Sequence, residues 1–135
     1  MKTDITTTIN SLPDLLSLKK ASEEMINSAE EELDLKFADE FKQYLREFGA
    51  IIAEGIELTG IANSEHRHVV PVTKEAWNLN PNIPHRFYVI EDTHVDGIVI
   101  WQENSGKVYR SAPNSQLVLI ANSMKQYIER RFNIV

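Results

Sequence analysis

The sequence predicts a single α+β domain, a central, mostly antiparallel sheet packed by N-terminal helices and a C-terminal helix. Three observations predict it. Apolar residues recur at helical spacing up to Gly49 and again near the C-terminal end. Between them, two short runs are apolar at every position, and turn signals separate successive runs too closely for crossover helices. Helices at both ends of a strand meander give an α+β order rather than βαβ alternation.

Met1 to Asn10 is rich in threonine, lacks helical or alternating periodicity and reads as a loose lead-in. Ser11-Leu12-Pro13-Asp14 reads as a helix start, with Pro13 near the first helical position and Asp14 suited to the positive end of the dipole. A short helix is therefore expected over Leu12 to Lys20. This sets residues 1–20 apart as lead-in and short helix, with residues 21–135 as the single domain.

Ser22 is a natural N-cap, followed by Glu23 and Glu24 in the first turn. Ile26, Ala29 and Leu33 then recur at helical spacing while Glu30, Glu31 and Glu32 turn mostly outward. Phe37, Phe41, Tyr44, Leu45 and Phe48 make a second stripe, closed by Gly49 where a C-terminal cap belongs. The two form a helical hairpin.

Beyond Gly49, Ile51-Ile52-Ala53 and Ile56 to Ile61 lose helical spacing and are punctuated by glycine, so strands are expected. Val69-Val70-Pro71-Val72 reads as an edge strand or a transition to a brief helical turn around Thr73 to Trp77, and Asn78 to Pro84 as a loop. Phe87 to Ile90 and Ile98 to Trp101 suit strands covered on both faces, with Asp96-Gly97 as the turn between them. Asn104-Ser105-Gly106 supplies the next turn before Lys107 to Arg110, completing an antiparallel meander. From about Leu119 the chain returns to helix: Ile120, Met124, Tyr127, Ile128 and Phe132 space one apolar face, and Arg130 and Arg131 sit near its negative end.

A chain of 135 residues, 42% hydrophobic and 25% charged, has the composition of a folded domain. Folding at this size buries roughly 68–70% of the unfolded surface, enough for one core without staples. The absence of cysteine excludes disulfides, thiolate metal sites and a cysteine nucleophile, and points to the reducing cytoplasm. No signal-peptide order begins the chain, and no apolar run approaches the roughly 20 residues that span a bilayer. The net charge of -6 is concentrated: residues 23–57 hold 11 acidic and 3 basic side chains, a balance of -8. Such a segment repels phosphate backbones and suits a basic protein partner, or else is a solvated face that aids solubility.

Glu65-His66-Arg67-His68 places two histidines two apart, on one face if extended, and a zinc site would need His94, Asp92 or Asp96 as a third ligand. The charge of Arg67 opposes it, and an exposed polar loop is the expected reading. Glu91-Asp92 with His94 and Asp96 suggests acid–base chemistry, but these residues are expected in a polar connection between two strands. Glycines at 49, 55, 60, 97 and 106 never approach a phosphate-cradling spacing, and no Gly-x-Ser-x-Gly elbow occurs. No catalytic set, metal site or cofactor is expected, so the chain reads as a binding module rather than an enzyme.

Several of these features together resemble the SUKH superfamily, named for its likeness to a yeast cell-wall-synthesis regulator and including many bacterial immunity proteins. The resemblance covers roughly Ile26 to Phe132. It is carried by Ile26-x-x-Ala29-Glu30-x-x-Leu33, by Phe37-x-x-x-Phe41-x-x-Tyr44-Leu45-x-x-Phe48-Gly49, by Glu57 to Ile61, by Phe87 to Asp92 and by the closing helix. Ala38 stands where relatives often carry proline before the second helix. The resemblance implies an α+β domain that binds and neutralises a cognate polymorphic toxin, often a nuclease, in competition between bacteria. It brings no catalytic residues.

The partner so implied is the basic nuclease domain of a toxin, with no direct nucleic-acid or membrane contact. An acidic surface of Glu30, Glu31, Asp34, Glu40, Glu47, Glu54 and Glu57 would complement such a domain. Trp77, Trp101 and Tyr109 are candidate aromatic anchors, against a core or rim role for the tryptophans, and Glu57, Asp92 and Glu103 the candidate rim. Two other readings stand beside this one: a regulatory scaffold like the fungal members, and a small metal-dependent hydrolase using His66, His68 and His94.

Overall fold

A computed structural model describes residues 4–134. Its elements run α1 (Ile5–Asn10), β1 (Leu16–Ser17), α2 (Glu23–Leu33), α3 (Asp39–Phe48), β2 (Ile51–Ala53), β3 (Ile56–Glu57), α4 (Val69–Leu79), β4 (Tyr88–Asp92), β5 (Val99–Gln102), β6 (Val108–Ser111), β7 (Val118–Ala121) and α5 (Met124–Arg131). Strands β1-β2-β3 form a small antiparallel sheet and β4-β5-β6-β7 a larger one, in sequence order. The fold is α+β. Among the described residues no helix is long and apolar enough to cross a membrane.

The helical hairpin forms as its sequence predicts. Ser22 Oγ accepts the Met25 N–H at 3.2 Å, and α2 buries Ile26, Ala29 and Leu33. Helix α3 buries Phe41, Tyr44, Leu45 and Phe48 and stops at Gly49, whose φ is +71°. A Cβ there would lie 2.1 Å from the Lys19 carbonyl oxygen, so glycine alone lets this helix end meet the chain entering α2.

The runs apolar at every position owe their composition to cover on both sides. Tyr88, Ile90, Ile100 and Val108 point into the main core with α1, α2, α3 and α5, while Val89, Val99 and Trp101 point into a second cluster closed by Ala76 of α4. Phe37, Phe41 and Tyr88 form an aromatic trio with ring centroids 4.8–5.0 Å apart. The Tyr88 hydroxyl donates to Gln102 Oε1 at 2.8 Å and accepts the Ala38 N–H at 3.0 Å. A proline at position 38 would lack that donor, which gives alanine a physical reason to stand there.

The structure corrects several expected elements. Ile5 to Asn10, expected within the lead-in, is a helix: Asp4 accepts the Thr6 N–H at 2.7 Å, and Ile5 and Ile9, one turn apart, are buried. Met1 to Thr3 lie outside the described residues. Leu12 to Lys20 is not helical, because Ser11 closes α1, Asp14 sits at φ 55° and Leu16-Ser17 pairs with β2. Val69 to Val72 opens α4 instead of lying on a sheet edge, since proline in a first turn forfeits no intrahelical bond. Val118 to Ala121 is strand β7, and the last helix begins at Met124, where Ser123 Oγ caps the Gln126 N–H at 3.0 Å.

Two of the acidic residues expected on the surface belong to the framework. Glu30 is buried, accepts the Phe37 N–H at 2.9 Å and lies 3.6 Å from Lys42 Nζ, fastening α2 to the loop that follows it. Glu40 accepts the Met124 and Lys125 N–H groups at 2.6 and 2.8 Å, placing a carboxylate on the positive end of α5. Replacing Glu40 with alanine is expected to cost about 1–2 kcal/mol, seen as a lower urea midpoint at unchanged slope.

Candidate functional site

A groove of about 670 Å³ lies between α4 and the β4–β5 connection. Val72, Glu75, Ala76 and Leu79 line it from α4, and their i, i+3, i+4, i+7 spacing puts them on one face of the helix. The opposite wall is Asp92, His94, Gly97 and Val99, and Pro113 closes one end. Gly97 has φ +70°, and a Cβ there would stand 2.7 Å from Pro113 Cγ, so this glycine lets the two loops touch. Leu79 is 73% exposed, an uncovered apolar side chain on the rim. Glu65, Glu75 and Asp92 line the groove with no lysine or arginine among them.

The β4–β5 wall is braced by short side-chain bonds. Asp92 Oδ1 accepts the His94 N–H at 3.0 Å, and Thr93 Oγ1 donates to the Ile98 carbonyl at 2.8 Å while accepting the Val95 N–H at 3.2 Å. His94 and Asp96 both hold positive φ, near 57° and 53°. This tight course keeps Asp92 and His94 on the edge of the groove.

A smaller cavity of about 100 Å³ lies alongside and shares His66, Asp92 and His94 with the groove. Glu57, Thr59, Arg67, Glu91 and Arg131 are among its other walls. Glu91 is buried in β4 rather than in a connection, and it accepts Arg131 Nε and Nη2 at 3.1 and 2.9 Å together with the Tyr127 hydroxyl. Burial, and then the negative charge of Glu91, raise the Tyr127 pKa above its ordinary value. The hydrogen bond to Glu91 raises that of Arg131. Both groups are thereby locked in their protonated forms, as the donors this network requires.

The structure brings Glu57 and Asp92 together at the smaller cavity. Glu54 is exposed in the two-residue turn between β2 and β3, with φ 50° followed by Gly55 at 78°. Trp77 is half-buried, stacked on His85 with ring centroids 4.1 Å apart, and its Nε1 donates to the Phe87 carbonyl at 2.9 Å. Glu103 lies in a separate cluster, 3.4 Å from Arg86 Nε and accepting the Tyr109 hydroxyl at 2.9 Å. Trp101, expected as an aromatic anchor, is instead fully buried, with Nε1 donating to Ser111 Oγ at 2.8 Å, and has no surface to offer a partner.

The histidines do not converge. His66 bonds Ser64 Oγ at 2.6 Å, His68 turns its Nδ1 to the Gly60 carbonyl at 3.1 Å, and the cavity that His94 lines with His66 does not include His68. Among the described residues no group of three or more His, Asp or Glu is placed to hold a metal ion. The groove residues Val72, Glu75 and Leu79 escape a reading of the sequence because Val69 to Val72 imitates a strand and Asn78 imitates the start of a loop. The spacing from Val72 to Leu79 was the available signal.

Compared with known proteins, residues 3–133 match the family described as SUKH_5, SMI1-KNR4 cell-wall. Among solved structures, the crystal structure of a protein from Pseudomonas syringae pv. tomato is similar, with a TM-score of 0.72 at 20% sequence identity. That likeness covers 93% of this chain and 95% of the other, and it extends to the fold. No curated protein matches the chain.

Proposed function

Because this chain belongs to the SUKH_5, SMI1-KNR4 cell-wall family, we propose that it is a non-catalytic, cytoplasmic immunity protein that neutralises a cognate bacterial toxin, a nuclease, by direct contact through the α4 groove. The observation that carries this reading is the composition of the groove: apolar Val72, Ala76 and Val99 with Leu79 on the rim, edged by Glu65, Glu75 and Asp92, and no lysine or arginine among the described residues that line it. A nuclease domain must be basic to hold its substrate. The acidic edge steers such a partner and the apolar floor supplies the desolvated contact that holds it, since charges at a rim govern association rate more than affinity.

Co-expression with the toxin encoded by the neighbouring gene tests the reading. Cells should survive, and the two proteins should elute together by gel filtration. Equal killing with and without this chain, and no complex, would refute it. Exposed Glu65 and Glu75 make no side-chain bond among the described residues that a lysine would break, so the double change Glu65→Lys, Glu75→Lys is expected to leave the fold intact. It is expected to slow association about tenfold at low salt and to flatten the salt dependence of the rate. Stopped-flow binding checks this.

A further inference from the structure

Arg67 stands immediately before the N-cap of α4, nine-tenths buried, and forms part of the wall of the smaller cavity. A guanidinium carries five N–H donors and does not lose its charge within a protein. Among the described residues a single donor, on Nη2, meets a protein acceptor, the Ile51 carbonyl oxygen at 3.2 Å. Buried Nε has no partner, and among the described residues no carboxylate comes within ion-pair distance of Arg67. The other buried charges are matched: Glu30 has Lys42, and Glu91 has Arg131. A buried charge without a counter-ion is the costly arrangement, because it has lost water and no opposite charge replaces it.

We infer that the small cavity is a carboxylate-binding site, in which one carboxylate group supplied by a bound molecule becomes the counter-ion of Arg67. The volume of about 100 Å³ admits a carboxylate with a methylene or two and excludes a ring system such as a nucleotide base. Charge-assisted bonds to a planar guanidinium are the strong, geometrically selective kind, and Arg67 has free donors to make them. The carboxylates already present are occupied elsewhere, Glu91 by Arg131 and Tyr127 and Asp92 by the His94 N–H. Glu57, at the half-buried wall, competes weakly from a position beyond ion-pair reach. The inference does not depend on the toxin-neutralising reading.

The Nε–Hε resonance of Arg67 in isotope-labelled protein reports on the atom concerned. Titration with acetate, at ionic strength held constant with chloride, is expected to shift it saturably, with half-saturation in the millimolar range. Acetamide, of the same shape without the charge, should leave it still. Arg67→Lys should abolish saturation as read at the amides of Leu58 and Thr93, which also line the cavity, and Glu57→Gln should tighten binding several-fold. N-acetylaspartate amide binding better than N-acetylglycine would identify the natural group as a side chain, and the reverse order as a chain end. No saturable shift with any carboxylate up to about 100 mM, or an equal shift with acetamide or chloride, overturns the inference.

Discussion

Glu91→Ala should lower the free energy of unfolding by about 3 kcal/mol. Glu91 is the point at which the larger sheet grips α5, because Arg131 and Tyr127 both come from that helix and both donate to its carboxylate. Removing one member of a buried ion pair costs roughly 3–5 kcal/mol, since the partner is left charged without an acceptor. The side chain of Arg131 is 36% exposed and regains some water, which puts the expectation at the lower end of that range. Urea unfolding measures it as a midpoint shift at unchanged slope. Glu91→Gln, which keeps an acceptor, should lose less, and Glu91→Ala combined with Arg131→Ala less than the sum of the two single changes. A loss within about 0.5 kcal/mol, the range of neutral surface changes, would show that the pair does not hold α5.

A larger effect is expected at alkaline pH. Burial raises the pKa of Tyr44, Tyr88 and Tyr127 above the ordinary value of 10.0. For Tyr127 the neighbouring Glu91 charge adds to the shift, and for Tyr44 the Ile51 N–H bond opposes it without cancelling it. The folded protein therefore keeps three phenolic protons that the unfolded chain releases above about pH 10. The stability this provides is complete below pH 10 and is lost as pH rises toward the higher folded-state values. Each tyrosine removes about 1.4 kcal/mol per pH unit in that window, about 4 kcal/mol per unit for the three. Against a typical stability of about 5–15 kcal/mol, cooperative unfolding is expected to begin about one pH unit above 10. Tyrosinate absorbance should rise in step with the loss of circular dichroism. A smooth titration near pH 10 in a protein that stays folded would contradict it.

Legibility in the sequence followed the distance over which each element is decided. The α2–α3 hairpin is decided locally, by Ser22, by two apolar stripes and by Gly49, and it stands where the sequence puts it. The doubly apolar strands were equally legible, because cover on both faces leaves its mark at every position. Structure departs from local pattern where one run of residues suits two elements. Val69-Val70-Pro71-Val72 has the composition of an edge strand, and only its place in a first turn makes it helical. Leu119 and Ile120 continue the helical spacing of α5, and the capping signal Ser123-x-x-Gln126 that separates β7 from the helix is the stronger guide. At the candidate site, Glu57 and Asp92 were legible as polar residues near strand ends, and their shared cavity was not, since β3 and β4 are brought together by tertiary packing. Glu30, Glu40 and Trp101 show the converse, residues whose chemistry suggested a surface and whose partners lie in the interior.

The packing of α1 sets the order in which the molecule can be completed on the ribosome. Ile5 and Ile9 are covered by α3 and by α5, and α5 is the last of the described helices to emerge. At ordinary elongation rates the interval between Asn10 and Met124 is on the order of ten seconds, during which the nascent chain holds half of an interface. Until the final turn of α5 arrives, the inner face of the larger sheet and the buried side of α1 share an open seam. Ribosomal stalling short of Met124 would leave a nascent chain that presents apolar surface to chaperones in place of a closed core.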